Sequence, residues 1–170
     1  MKKIKLLIAI SMFSLLVFTY GNAQVVAVSC IESEHAEKMP SDITLYFENE
    51  LLGFLFDEGL IVTSVPYRKE NIESFNKSKL ESIHFEDEVD FVIVIYFMYE
   101  KNKKYDEFKR KNLLPCNQIS CKVIKVKDNI EVDSCHFAFN EMKEKGMFNK
   151  VDVCLLKMKE IILKSIRRKV

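Results

Sequence analysis

Hydrophobic and polar residues are distributed very unevenly along this chain, and the longest apolar run organises the rest. Asp90 to Glu100 reads DFVIVIYFMYE, with Phe91 through Tyr99 unbroken and acids at both ends. The run lacks period-2 alternation, so it predicts a strand buried on both faces rather than a half-exposed one. A buried helix would share that lack of alternation. Four β-branched residues in succession, Val92 to Ile95, favour the strand.

Upstream, Gln24 to Ile31 (QVVAVSCI) predicts a first buried strand, followed by a polar connection from Glu32 to Pro40. Ser41 is a good N-cap and Asp42 suits the positive end of a helix dipole. From Asp42 to Glu58, the residues Ile43, Phe47, Leu51, Phe54 and Leu55 recur on one helical stripe, broadened by Leu45, Leu52 and Phe56. Gly59 stands where a left-handed C′ glycine belongs, with Leu60 able to fold back on Leu55. Leu60 to Val65 predicts a short second strand closed by Pro66, and Ile72, Phe75, Leu80 and Ile83 recur at the spacing of a second, weaker helix.

Beyond the central strand, Lys101 to Asn112 (KNKKYDEFKRKN) is a charged stretch that reads as a solvated connection. Ile119 to Lys127 and Ile130 to Phe139 predict two further strands joined at Asp128-Asn129, a hairpin signal. Val151, Leu155, Met158 and Ile162 then mark a last helix from about Asn149 to Arg168. Its C-terminal cations, Lys164, Arg167, Arg168 and Lys169, suit the dipole without a ligand.

The element order is β-α-β-α-β-β-β-α, an α/β (α+β) arrangement. Right-handed crossovers make strands 1, 2 and 3 parallel, and hairpin-type connections make 3, 4 and 5 antiparallel. A single mixed five-stranded sheet of order 2-1-3-4-5 puts Phe91–Tyr99 in the middle, with helices packed on the sheet.

Composition adds a compartment. The chain has 170 residues, 48% hydrophobic and 30% charged, which fits one globular domain with a core. The first residues combine Lys2, Lys3 and Lys5, an apolar stretch from Leu6 to Thr19, and the small residues Gly21 and Ala23. This is the layout of a secretory signal peptide, and the apolar stretch is short for a membrane span. Residues 1–23 are expected to be removed, leaving a single domain over 24–170 with no transmembrane span. The expected home is the periplasm or cell envelope. Loss of the signal takes three lysines and no acid, so 23 basic residues face 25 acidic ones. That balance gives no support to nucleic-acid binding.

Five cysteines follow the signal: Cys30, Cys116, Cys121, Cys135 and Cys154. An odd number in an exported chain leaves one thiol unpaired within it. Cys30, after Ala27-Val28-Ser29, is a poor match to a lipoprotein acceptor, because Ala27 stands where a large aliphatic residue is usual. Hairpin register points to a disulfide, or adjacency, between Cys121 and Cys135. A three-residue loop, Lys127 to Asn129, pairs Val126 with Ile130 and Ile124 with Val132, sets Lys125 against Glu131, and gives Asn129 the left-handed position. Cys121 then falls opposite Cys135, with Cys116 as its competing partner.

Candidate chemistry is sparse. His35 with Glu32, Glu34 and Glu37 reads as an exposed acidic loop rather than a metal site, and His84 and His136 stand alone. There is no HExxH pair and no CxxC knuckle. Cys116 and Cys121 are separated by four residues, and the second enters a strand, so a dipole-activated redox thiol is not expected. Four glycines leave no room for a phosphate loop, and no GxSxG elbow occurs. No cofactor, metal or catalytic residue is expected.

A first strand VVAVSCI and a long helix closing through D-E-G-L-I-V-T into strand 2, on an exported chain of this size, resemble small envelope domains of the TolB amino-terminal type. LpoB-, CsgG- and FlgO-like proteins belong to that group. The resemblance covers Val25 to Arg168 and carries no residue over one for one. It implies a non-catalytic module for envelope assembly with a protein partner; a thiol-active or other envelope enzyme is the alternative.

Overall fold

The computed structural model describes residues 23–34, 41–77, 88–99 and 116–168. Its strands are β1 (Val25–Glu32), β2 (Ile61–Lys69), β3 (Phe91–Tyr99), β4 (Cys116–Lys125) and β5 (Ile130–Ala138). Its helices are α1 (Asp42–Asp57), α2 (Ile72–Lys77) and α3 (Met147–Arg167), with one 3-10 turn at Phe139–Glu141. The five strands form a single sheet ordered β2-β1-β3-β4-β5. The β1 strand is parallel to both β2 and β3, and the β3–β4 and β4–β5 pairs are antiparallel. This is the architecture expected from the hydrophobic pattern. Residues 1–22, His35, Glu37, Leu80, Ile83 and His84, the 101–112 stretch and Lys169 lie outside the described residues.

Alternation along β3 divides the core in two. Phe91, Ile93, Ile95, Phe97 and Tyr99 face α1 and α3, together with Val26, Val28 and Cys30 of β1. Val92, Val94 and Tyr96 face the other way, with Ala27, Ile31, Val65 and Phe75 of α2. The α1 and α3 helices run parallel: Tyr46 and Phe148 meet edge-on near their N-terminal ends, and Arg167 pairs with Glu58 at the C-terminal ends. Among the described residues, cover on the second face is thinner. There Phe75 stacks on Tyr96 at 5.1 Å, and Lys122 donates to the carbonyls of Phe75 and Asn76 at the end of α2.

The end of α1 follows the sequence closely. Ser41 caps its start by accepting from the Thr44 N–H. At the other end Gly59 takes φ +83°, the Leu60 N–H reaches the Leu55 carbonyl, and the Gly59 N–H reaches that of Phe56. That bond pair is a Schellman closure, which an L-residue at position 59 would strain.

Three boundaries differ from expectation. The β2 strand does not stop at Pro66 but runs on to Lys69. It is an edge strand, and its register with β1 slips between Ser29 and Ile31, so Pro66 and Tyr67 together oppose Cys30. An edge bulge is where a sheet tolerates the missing proline N–H. The β4 strand begins at Cys116 rather than Ile119. The β4–β5 loop is also one residue longer than predicted: Lys125 pairs with Ile130, and an extra residue at Val132 restores the register, so that Val123 opposes Asp133 and Cys121 opposes Cys135. Asn129 does adopt the left-handed conformation, at φ 50°. The predicted Val126–Ile130 pairing fails because Val126 packs into the second-face core while Ile130 is exposed. Lys125 pairs with Asp128, and Lys122 takes Glu131.

Candidate functional site

In an open sheet with parallel strands, a crevice for ligands forms at the carboxyl ends where the strand order reverses. Here the chain steps from β1 outward to β2 and then back across β1 to β3. Its connecting helices α1 and α2 consequently lie on opposite faces, and the switch point falls between the ends of β1 and β3. The residues there are Glu32, Ser33 and Tyr99.

Glu32 is fully buried, although its position after an apolar strand read as the start of an exposed acidic loop. It is the last residue of β1, held between β2 and β3. Its Oε1 accepts from the Ser41 backbone N–H at 2.8 Å and from the Thr44 hydroxyl at 2.5 Å, and its Oε2 accepts from the Tyr67 hydroxyl at 2.5 Å. Thr44 has a single hydroxyl proton, and Glu32 receives it. The Tyr99 hydroxyl, 2.9 Å away, therefore donates to Thr44 or to its other neighbour, Ser41. Ser33 closes the backbone beside them: its hydroxyl accepts from the Tyr99 N–H at 3.0 Å and donates to the Tyr99 carbonyl at 3.2 Å. Burial, more than any neighbour, raises the pKa of both Tyr67 and Tyr99, so both remain protonated donors. The switch point is filled by this chain's own side chains.

The cysteines form a second cluster on the first face. Cys30, Cys116, Cys121 and Cys154 are buried in one core, and Cys135 packs against it half-buried. Cys30 opposes Ile95, Ile95 opposes Cys121, and Cys121 opposes Cys135, one line across four strands. All five are free thiols. Cys116 cannot serve as partner to Cys121, because both lie in the same extended strand with a rise of about 3.3 Å per residue between them. Lipidation of Cys30 would require loss of Val25 to Ser29, which pair with β2, and from Val26 onward with β3 as well. His136 sits on edge strand β5, its Nδ1 3.0 Å from the Ser120 hydroxyl. Among the described residues, no three His, Cys, Asp or Glu side chains converge as a metal site, and no helix is long and apolar enough to cross a membrane.

Burial pushes the thiol of Cys116 up to about 12 from an ordinary 9.0. A group whose pKa is raised on folding contributes stability below its unfolded value and loses it as pH climbs toward the folded one. Urea stability in reductant is therefore expected to fall between pH 9 and pH 12, by up to about 1.4 kcal/mol per pH unit for each shielded thiol. Cys116→Ala should flatten that decline. A midpoint equal at pH 8 and pH 10.5 would show that the thiol is not shielded.

Residues 25–167 match the model of a family described as "Uncharacterised protein". The chain belongs to that family. No curated protein matches it. Among solved structures it is similar to a PelC dodecamer from Paraburkholderia phytofirmans, at 13% identity and TM-score 0.43 over 87% of this chain and 89% of that one. Another is protein XCC0632 from Xanthomonas campestris, of the DUF330 family, at 10% identity and TM-score 0.34 over 84% and 78% of the two chains. A prolyl-tRNA synthetase from Cryptosporidium parvum matches at 13% identity and TM-score 0.32, over 87% of this chain and 24% of its own. With every TM-score below 0.5, none of the three bears on what this chain does.

Proposed function

We propose that this is an exported, non-catalytic protein of the cell envelope, working as a protein-interaction or assembly accessory module. The observation that carries the reading is the filled switch point. The crevice where an α/β sheet would hold a substrate is occupied by Glu32, Ser41, Thr44, Tyr67 and Tyr99, each engaged with another. A general base must be reachable by substrate, and Glu32 is wholly enclosed. Export is supported by the lysines, apolar stretch and Gly21/Ala23 pair of residues 1–23. The resemblance to TolB amino-terminal-type domains agrees with a role in assembly.

The test is the protein recovered from envelope fractions of its own cells. Its intact mass is expected to match residues 24–170, and cross-linking before lysis is expected to capture a protein partner in defined proportion. A mass retaining the N-terminus, or recovery only from the cytoplasmic fraction, overturns the reading. A second reading, thiol chemistry, is favoured by one observation: Cys121 and Cys135 stand directly opposed in the β4–β5 pair.

A further inference from the structure

Cys121 and Cys135 occupy opposed positions on β4 and β5, and both side chains lie on the α1–α3 face of the sheet. Their surroundings are unequal. Cys121 is 1% exposed, whereas Cys135, on the edge strand, is half-buried and open on one side. Opposed register sets the two thiols side by side across the β4–β5 pair. The adjacent Cys121 thiol holds Cys135 below its ordinary pKa, and Cys135 together with burial pushes Cys121 well above it. Asp133, two residues from Cys135, opposes the effect, but its Oδ2 is engaged by the Ser165 hydroxyl at 2.9 Å.

We propose that these residues form a dithiol site for thiol–disulfide exchange, in which Cys135 attacks an incoming disulfide and Cys121 resolves the product. The oxidant is a molecule carrying an accessible disulfide, RS–SR. The Cys135 thiolate attacks one sulfur, forming a Cys135–SR mixed disulfide and releasing RS⁻. Cys121 then attacks the Cys135 sulfur and its proton passes to the departing sulfur, so that a Cys121–Cys135 disulfide forms and the second sulfur leaves as RSH. Two protein thiols are oxidised, and one disulfide is reduced to two thiols. The opposed register supplies the proximity for the second step without backbone rearrangement.

Accessibility sets the order of events. Cys30, Cys116 and Cys154 are at most 1% exposed, and burial raises all three thiols, Cys116 and Cys154 to about 12. An external disulfide meets Cys135 first. The site does not depend on the export reading, although export would supply disulfide oxidants.

The experiment uses the reduced, purified protein and oxidised glutathione as probe, read by intact mass and non-reducing peptide mapping. The unmodified chain is expected to end with a Cys121–Cys135 linkage and no retained glutathionyl group. Cys121→Ala should accumulate one glutathionyl group, on Cys135. Cys135→Ala should react at least about tenfold more slowly, as expected when only shielded, protonated thiols remain. A stable glutathionyl adduct on the unmodified chain without the internal linkage, or modification of Cys116 or Cys154 before Cys135, overturns the proposal. Should Cys121→Ala fail to fold, brief native labelling of the unmodified protein with N-ethylmaleimide decides the question. Cys135 labelled first supports the site; Cys135 labelled no faster than the other four defeats it.

Discussion

Replacing Glu32 with alanine is expected to destabilise the domain by about 3–5 kcal/mol, because two buried donors and a partly buried third lose their acceptor at once. Each of the Ser41 N–H, the Thr44 hydroxyl and the Tyr67 hydroxyl, if left unpaired, costs roughly 1–3 kcal/mol. The two hydroxyls can turn toward one another or toward Tyr99, so the total falls short of three full penalties. The backbone N–H has no such freedom. Glu32→Gln is the informative control. Its amide oxygen still accepts from Ser41 and Thr44, while its NH₂ meets the Tyr67 oxygen, which can accept after the hydroxyl rotates. The expected loss is about 1–2 kcal/mol. Guanidinium melts at one pH would measure both. If alanine costs no more than glutamine, Glu32 is not the centre of this network, and the switch point is less completely filled than the hydrogen bonds indicate.

Glu32 also marks where the sequence stopped being informative. Its reading as part of an exposed acidic loop rested on composition: Glu34 and Glu37 follow within five residues. Burial at position 32 is decided by partners in other elements, Ser41 and Thr44 at the start of α1 and Tyr67 on β2, and no local pattern contains them. One signal was present. An acid ending an otherwise apolar strand, VVAVSCIE, lies at the carboxyl end of a parallel strand, where polar groups gather in α/β sheets. Applying that rule to β1 and β3 together would have singled out Glu32 and Tyr99.

Other features were legible because their causes are local. The Gly59 closure needs only a left-handed residue followed by an apolar one. The opposition of Cys121 and Cys135 follows from hairpin geometry, though by a different route from the one predicted. A four-residue loop from Val126 to Asn129 shifts the pairing by one, and the extra residue at Val132 shifts it back. The compensation lies in the packing of Val126 against the second-face core, a tertiary contact that cross-strand pairing alone does not reveal.

The same division of β3 between two faces gives the other large expected effect. Phe97→Ala should cost about 3–5 kcal/mol by lost transfer energy and an unfilled cavity. Phe97 is fully enclosed on the first face, where its ring meets that of Phe47 edge-on at 5.4 Å and 82°. That geometry is worth about 0.5–1.5 kcal/mol beyond the area buried, so a double-mutant cycle with Phe47→Ala should show coupling of that size. Met98, the next residue, points to the second face, where the side chain is only half-buried. Met98→Ala should cost less than about 2 kcal/mol, since partial burial leaves less to lose. The contrast between adjacent positions tests alternation directly, because a helix would place 97 and 98 only about 100° apart. Comparable losses at the two positions would mean that β3 is covered equally on both faces, and that the second face carries packing beyond α2.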